Sequence, residues 1–85
     1  MPLPDIDDIR AAASRIASHA VRTPLLESPQ INDILGGRLL VKAETLQRTG
    51  SFKFRGVFNT IAQIPNNIRK NGIVAFSSGN HAQGV

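Results

Sequence analysis

The sequence predicts an α/β protein, because helical and extended stretches alternate along its 85 residues with short connections. Apolar residues recur at helical spacing near the N-terminus and again over 54–62. Between and after these stretches lie short extended runs. The clearest is 73–76 (IVAF), a continuous apolar run that is typical of a buried parallel strand.

The first helix is expected over 6–19. Asp5 is a plausible N-cap, and Asp8 would stabilise the first turn electrostatically. The helix should end near Arg22, because the residue before Pro24 favours an extended backbone.

A short extended segment at Leu25-Leu26 comes next. Ser28 should cap a second helix over 29–35, which Gly36-Gly37 terminates. The following run, 38–43, reads as a strand.

Thr49-Gly50 is expected to form a turn, and Ser51 to cap a third helix over 52–63. One face of that helix carries a core stripe at helical spacing, made of Phe54, Val57, Phe58, Ile61 and Ala62. The residues from 65 to 72 read as a loop. Another helix should begin at His81, and because Val85 falls inside it, we expect the chain to continue in the intact protein.

The composition excludes several classes of protein. The chain is 41% hydrophobic and 19% charged, as in ordinary globular proteins, and it lacks Cys, which excludes disulfide frameworks and thiolate metal sites. The net charge is +4, but the basic residues form no cluster, so we expect a solvated surface rather than a nucleic-acid partner. There is no secretory signal and no apolar run near the roughly 20 residues that span a bilayer, so we expect a cytoplasmic protein without a membrane partner.

Lys53 is the first residue that could carry chemistry. It lies in the first turn of the third helix, where the partial positive charge of the helix N-terminus disfavours an ammonium. The neutral amine is the form that attacks an aldehyde to give a Schiff base, and free N–H groups at the same helix end suit an anion. The alternative is an ordinary surface lysine.

The run 77–81 (SSGNH) follows the predicted buried strand and opens a helix. Ligands of open α/β sheets gather at that position, and hydroxyl, amide and backbone N–H groups suit a carboxylate. A serine-rich helix cap is the alternative reading. His81 is either an acid–base group or a structural residue, and Phe52 either stacks on a planar cofactor or packs in the core.

Two strings together resemble the serine/threonine dehydratase family, which includes threonine ammonia-lyase and serine racemase. Residues 49–56 (TGSFKFRG) resemble its cofactor-lysine motif, and 77–85 (SSGNHAQGV) resemble its substrate and cofactor loop. Their order and separation also fit, as do the preceding strings 21–25 (VRTPL) and 42–47 (KAETLQ). The resemblance covers nearly the whole chain.

The resemblance implies a role for each matching residue. Lys53 would form a Schiff base with pyridoxal 5'-phosphate and move the proton at the substrate Cα. Phe52 would pack against the pyridine ring, and Asn80 would donate a hydrogen bond to the cofactor's phenolic oxygen. Ser78 would be a second acid or base on the opposite face of the ring. The substrate carboxylate would be held by Ser77, Ser78, Gly79, Asn80 and His81.

The resemblance also implies the N-terminal fragment of a two-domain, fold-type-II enzyme of the tryptophan synthase β-like kind. Residues 1–67 would belong to the larger cofactor domain, and 72–85 would begin the smaller α/β domain. The remainder of both domains would lie beyond Val85. The glycine-rich phosphate loop and any divalent-cation site would lie there too, so no metal site is expected within this chain.

These motifs imply an ammonia-lyase that converts L-threonine and/or L-serine to a 2-oxo acid and ammonia, as a homo-oligomer when intact. A serine or aspartate racemase, or a hydroxyaspartate ammonia-lyase, is the alternative within the family. Phe54 and His81 stand where threonine synthases and many cysteine synthases carry Asp and Thr, which favours a dehydratase or a racemase. Outside the family, the alternative is a non-catalytic basic interaction fragment. We expect the 85-residue chain alone to be inactive.

Overall fold

A computed structural model describes residues 2–85. In this part of the chain, helices flank one small antiparallel sheet and two 3₁₀ turns precede the third helix. The helices are α1 (Ile6–Ile16), α2 (Pro29–Leu35), α3 (Lys53–Ala62), α4 (Asn66–Arg69) and α5 (Asn80–Gly84), and the strands are β1 (Leu25–Glu27) and β2 (Leu40–Lys42). Among these helices, none has the length and apolar character needed to cross a membrane.

The first helix begins as predicted and ends earlier. The Asp5 carboxylate accepts hydrogen bonds from two N–H groups of the first turn, and the Asp8 carboxylate accepts one from the Asp5 N–H at 2.9 Å. This reciprocal pair is a capping box, which fixes the start of α1. The helix stops at Ile16 rather than at residue 19, because the Ile16 carbonyl accepts two N–H groups in a closing turn.

The second helix and the small sheet also follow the prediction. Ser28 caps α2 through its hydroxyl, and Gly36 ends the helix in the left-handed conformation at φ 69°. β1 and β2 pair antiparallel with Leu26 opposite Val41. The predicted strand over 38–43 is therefore present but shorter than expected.

The core is small and centres on α3. Val57 is buried, whereas three other members of the predicted stripe, Phe54, Phe58 and Ile61, are half-buried. Ala62 is exposed, so its assignment to the core was wrong. The radius of gyration is 16.4 Å, compared with about 12 Å for a compact domain of this length. The described residues therefore leave much apolar surface uncovered.

The predicted buried strand over 73–76 is not a strand in this structure. Its residues are exposed, with Val74 at 99% and Phe76 at 98% of their full accessibility. A strand needs a neighbour to pair its N–H and C=O groups. Over residues 2–85 the sheet consists of β1 and β2 alone, so nothing pairs with this segment.

The loop predicted over residues 65–72 contains a helical turn, α4, so that prediction was wrong in part. The Pro65 carbonyl accepts hydrogen bonds from the N–H groups of Ile68 and Arg69 at 3.0 and 2.8 Å. Proline immediately before a helix is compatible with its start, because its fixed φ suits the first turn.

Candidate functional site

The chain turns sharply just before Lys53. Thr49 and Gly50 both have left-handed backbones, with φ of 65° and 77°. Ser51 follows and is buried, and its hydroxyl accepts the Lys53 N–H at 3.3 Å. The N-cap position of α3 is Phe52 rather than Ser51, which corrects the sequence prediction by one residue. The turn nevertheless places Lys53 as the first residue of the helix.

Lys53 lines an apolar cavity of about 430 Å³ between α3, residues 73–75 and α5. Phe52 and His81 line it as well, together with aliphatic side chains that include Val57 and Ile61. The Lys53 Nζ lies 5.8 Å from the centroid of the Phe52 ring. An amine and an aromatic face therefore stand together at an apolar opening, and within residues 2–85 this amine takes part in no ion pair.

The predicted carboxylate loop lies beside this cavity rather than on its wall. Ser77 is half-buried, and its hydroxyl accepts the Gly79 N–H at 3.0 Å. Ser78 and Asn80 are exposed, and Asn80 is the first residue of α5. The structure thus brings Phe52, Lys53 and His81 to one cavity, while residues 77–80 line neither described cavity.

A buried polar cluster, here called the polar junction, holds the start of α3 against the preceding segments. It consists of Thr23, Glu44, Gln47 and Arg55. The Thr23 hydroxyl donates to Glu44 Oε2 at 2.5 Å, and Arg55 forms a two-pronged ion pair with the same carboxylate. Thr23 and Gln47 are almost fully buried, at 3% and 4% exposed.

Gln47 joins the polar junction to the chain that follows α1. Its amide oxygen accepts the Val21 N–H, and its amide nitrogen donates to the Val21 carbonyl, both at 2.8 Å. Both backbone groups of one residue are therefore satisfied by one side chain. This contact fixes the segment before β1 relative to the turn that leads into Lys53.

The ion pair determines the charge state of the polar junction. The Arg55 guanidinium hydrogen-bonds to Glu44 and lowers the pKa of that carboxyl from 4.5 to about 2, against the effect of burial. Glu44 in turn raises the pKa of Arg55. Arg55 lies two residues after Lys53 on α3, so the junction anchors the same helical turn that carries the lysine.

Sequence reasoning assigned no role to the residues of the polar junction. Their contacts join residues up to 34 positions apart, such as Val21 and Arg55, and no periodic pattern marks such contacts. The only signal was their presence in the strings that carry the family resemblance.

The lysine, the neighbouring ring and the apolar cavity fit a planar aromatic aldehyde such as pyridoxal phosphate. The Lys53 amine would bond to the aldehyde carbon of this molecule, and Phe52 would lie beside its aromatic ring. The sequence contains no glycine-rich loop for the phosphate. Among the described residues, no three metal-ligating side chains lie together.

A direct match decides the family. The model of the family described as "Pyridoxal-phosphate dependent enzyme" matches residues 16–85, which include both strings of the resemblance. The chain belongs to this family. Enzymes of the family depend on pyridoxal phosphate, so the predicted cofactor class is confirmed.

Named relatives agree with this family. The chain is 48% identical over all 85 residues to an L-threo-3-hydroxyaspartate ammonia-lyase from Pseudomonas sp, covering 27% of that protein. It is 45% identical over 80 residues, or 94% of this chain, to an L-threonine ammonia-lyase from Thermotoga maritima, covering 20% of it. The structure of maize serine racemase aligns with a TM-score of 0.88 and 42% identity, over 94% of this chain and 25% of that one.

These matches confirm the predicted fold class, the N-terminal part of a fold-type-II pyridoxal-phosphate enzyme. The chain spans about a quarter of the length of the relatives that it matches.

Proposed function

We propose that these 85 residues form part of a pyridoxal-phosphate-dependent ammonia-lyase that converts L-threonine and/or L-serine to a 2-oxo acid and ammonia. "Intact enzyme" below means a protein that carries this segment together with the remainder that its relatives possess. The observation that carries the proposal is the placement of Lys53 at the start of α3, beside Phe52 and on the wall of an apolar cavity.

Lys53 has the surroundings that its role requires. The wall of the cavity is apolar, and in the proposed role the amine would bond to the aldehyde carbon and would hold the proton taken from the substrate Cα. Bound cofactor supplies an electron sink for the carbanion at Cα. The flat face of Phe52 limits how a ring can lie next to the lysine.

The loop over residues 77–81 would orient the substrate. Its backbone N–H groups and the Ser78 hydroxyl can bind the substrate carboxylate, and Asn80 can donate a hydrogen bond to the cofactor's ring oxygen. These roles rest on the family resemblance. The division of the chain into 1–67 and 72–85, the homo-oligomer, the cytoplasmic location and a divalent cation elsewhere in the intact enzyme also stay predictions.

Lys53→Ala in the intact enzyme tests the proposal. It should abolish ammonia release from L-threonine and L-serine and remove the visible absorbance of lysine-bound cofactor. Borohydride reduction followed by peptide mass analysis should place the cofactor on Lys53 in the parent enzyme. Lys70→Ala, at an exposed surface lysine, is the matched control and should retain both properties. Normal turnover by Lys53→Ala would refute the proposal.

A second substrate is favoured by one observation. The identity to the L-threo-3-hydroxyaspartate ammonia-lyase extends over the whole chain at 48%. That compound also carries a β-hydroxyl, so the same residues could act on it. Comparing kcat/KM for L-threonine, L-serine and L-threo-3-hydroxyaspartate in the intact enzyme ranks the candidates.

Ser78→Ala distinguishes a lyase from a racemase. Racemisation needs an acid or base on each face of Cα, whereas elimination from one enantiomer can use Lys53 alone. The variant should therefore lose racemisation far more than elimination. Ser14→Ala, at an exposed serine of α1, is the control. Equal loss of both reactions would argue against a face-specific role for Ser78.

A further inference from the structure

The helix that carries Lys53 and the helix that follows the loop touch at a point where a side chain fits only if a neighbouring atom shifts by a few tenths of an ångström. A Cβ on Gly84 of α5 would lie 3.0 Å from Val57 Cγ2 and 3.4 Å from Val57 Cβ. The same Cβ would lie 3.7 Å from the backbone carbonyl carbon of Lys53, which is ordinary contact. The side chain of Val57 is therefore the tight part of this contact.

Val57 has little freedom to make room. The residue is buried, at 7% exposed. Among the apolar residues of the described chain, only Ala43 is buried to the same extent. A β-branched side chain in a helix is confined mostly to one rotamer. An added methyl group at Gly84 would therefore push α5 away from α3 rather than displace Val57.

The contact lies one turn from the proposed site on both helices. Val57 is four residues after Lys53, so the two lie on the same face of α3. His81 precedes Gly84 by three residues on α5. Lys53, Val57 and His81 all line the same cavity.

We infer that Gly84 and Val57 act as a spacer that sets the distance between Lys53 and the loop over residues 77–81. They are a positioning pair, because neither is needed to touch the reacting atoms. The inference rests on the proposed function. Its physical basis is that the contact at 3.0 Å requires a shift of a few tenths of an ångström, and that displacing a bound group by about 1 Å can cost on the order of 100-fold in rate.

Gly84→Ala in the intact enzyme should lower kcat/KM by about 3–10-fold, as expected for a shift of a few tenths of an ångström. The loss should fall mainly on KM for the amino acid, whose carboxylate the loop would hold, while the visible absorbance of lysine-bound cofactor is retained. Val57→Ala combined with Gly84→Ala removes the Val57 Cγ2 methyl group that the added Cβ meets at 3.0 Å, and kcat/KM should rise above that of the single Gly84→Ala variant, because contacting residues couple. Gly37→Ala is the matched control, since a Cβ there meets nothing within 4 Å.

The double variant decides between spacing and general damage. If Gly84→Ala matches the parent enzyme, or if the double variant is no better than the single one, the inference is overturned. Where Gly84→Ala does not yield folded protein, recovery by the double variant supports the inference and failure overturns it. The proposed function is tested separately, because borohydride should fix the cofactor on Lys53 in the parent enzyme whether or not Gly84 acts as a spacer.

Discussion

In the polar junction, a carboxylate, a guanidinium and two uncharged polar side chains are mostly buried, and each is hydrogen-bonded within the chain. In the segment over residues 73–76, Val74 and Phe76 are almost fully exposed. The difference reflects what each needs. A few directed hydrogen bonds satisfy a polar group, whereas burying an apolar strand requires neighbours on both of its edges and faces.

The largest effect is expected when the 85-residue chain is studied without the remainder of the enzyme, because the apolar segment over residues 73–76 then has no cover. This chain should bind pyridoxal phosphate weakly and release no ammonia from L-threonine or L-serine, because it lacks a phosphate loop and leaves its apolar segment uncovered. The fluorescence of a dye that binds apolar surface should rise when the dye is mixed with this chain, and sedimentation should show that copies of the chain associate. Tight stoichiometric binding with turnover by a stable monomer would contradict this expectation.

Phe76→Ala should have different consequences in the two contexts. In the intact enzyme, where we expect residues 73–76 to be a buried strand, the change should cost about 3–5 kcal/mol of unfolding free energy. In the isolated chain it should instead reduce dye binding and association, since Phe76 is 98% exposed there. Denaturant unfolding and sedimentation measure the two effects. A small loss of unfolding free energy in the intact enzyme would show that residues 73–76 stay uncovered there too.

Glu44→Ala should weaken the polar junction. It leaves Arg55 without its partner and should lower the unfolding free energy of the intact enzyme by about 1.5–3 kcal/mol, the usual loss for a hydrogen bond to a charged group. Glu27→Ala is a matched control, because it removes the more exposed ion pair with Arg38 and should cost less. Equal losses would mean that burial does not strengthen the junction.

The junction should also respond to acid. The folded-state pKa of Glu44 is depressed to about 2, so its stabilising contribution is present above its ordinary value of 4.5 and is lost as the pH falls towards 2. The stability difference between the parent enzyme and Glu44→Gln should therefore shrink across that range. Denaturant titrations at stepped pH values measure it, and a difference that stays constant to pH 2 would refute the pKa.

The smallest effect concerns the turn that joins the polar junction to α3. Thr49 has φ of 65°, which a β-branched residue rarely adopts. Thr49→Gly should relieve this strain and raise the unfolding free energy by about 0.5–1 kcal/mol, after the entropy that glycine adds to the unfolded chain. Thr60→Gly, inside α3, should do the reverse, because glycine is unfavourable in a helix interior.

Local signals predicted the helix starts best. Asp5 and Ser28 cap their helices within three residues of themselves, so sequence alone contains the whole interaction. Lys53 was likewise placed correctly in the first turn of α3, because the preceding Thr49-Gly50 turn is encoded nearby. The division into two domains and the individual site roles stay predictions from family resemblance.

The remainder depends on contacts that sequence periodicity does not encode. Residues 73–76 carry the pattern of a buried strand, but pairing requires other strands that are distant along the chain. Glu44 and Thr23 are 21 residues apart, and their hydrogen bond follows only from the folded path. The tight contact between Gly84 and Val57 is likewise not predictable from the sequence, because a single glycine at the end of a short helix carries no periodic signal.

The two hydrogen bonds between Gln47 and the backbone of Val21 restrict how position 47 can evolve. Only a side chain with an amide donor and acceptor side by side, at the length of two methylenes, satisfies both groups at once. Single-nucleotide changes of a glutamine codon lead to Glu, His, Lys, Arg, Leu, Pro or a stop signal, and none of these offers that pair. Variation at this position should therefore be rare in natural populations of the gene. It should be tolerated only when a second substitution supplies hydrogen bonds to the N–H and carbonyl groups of Val21.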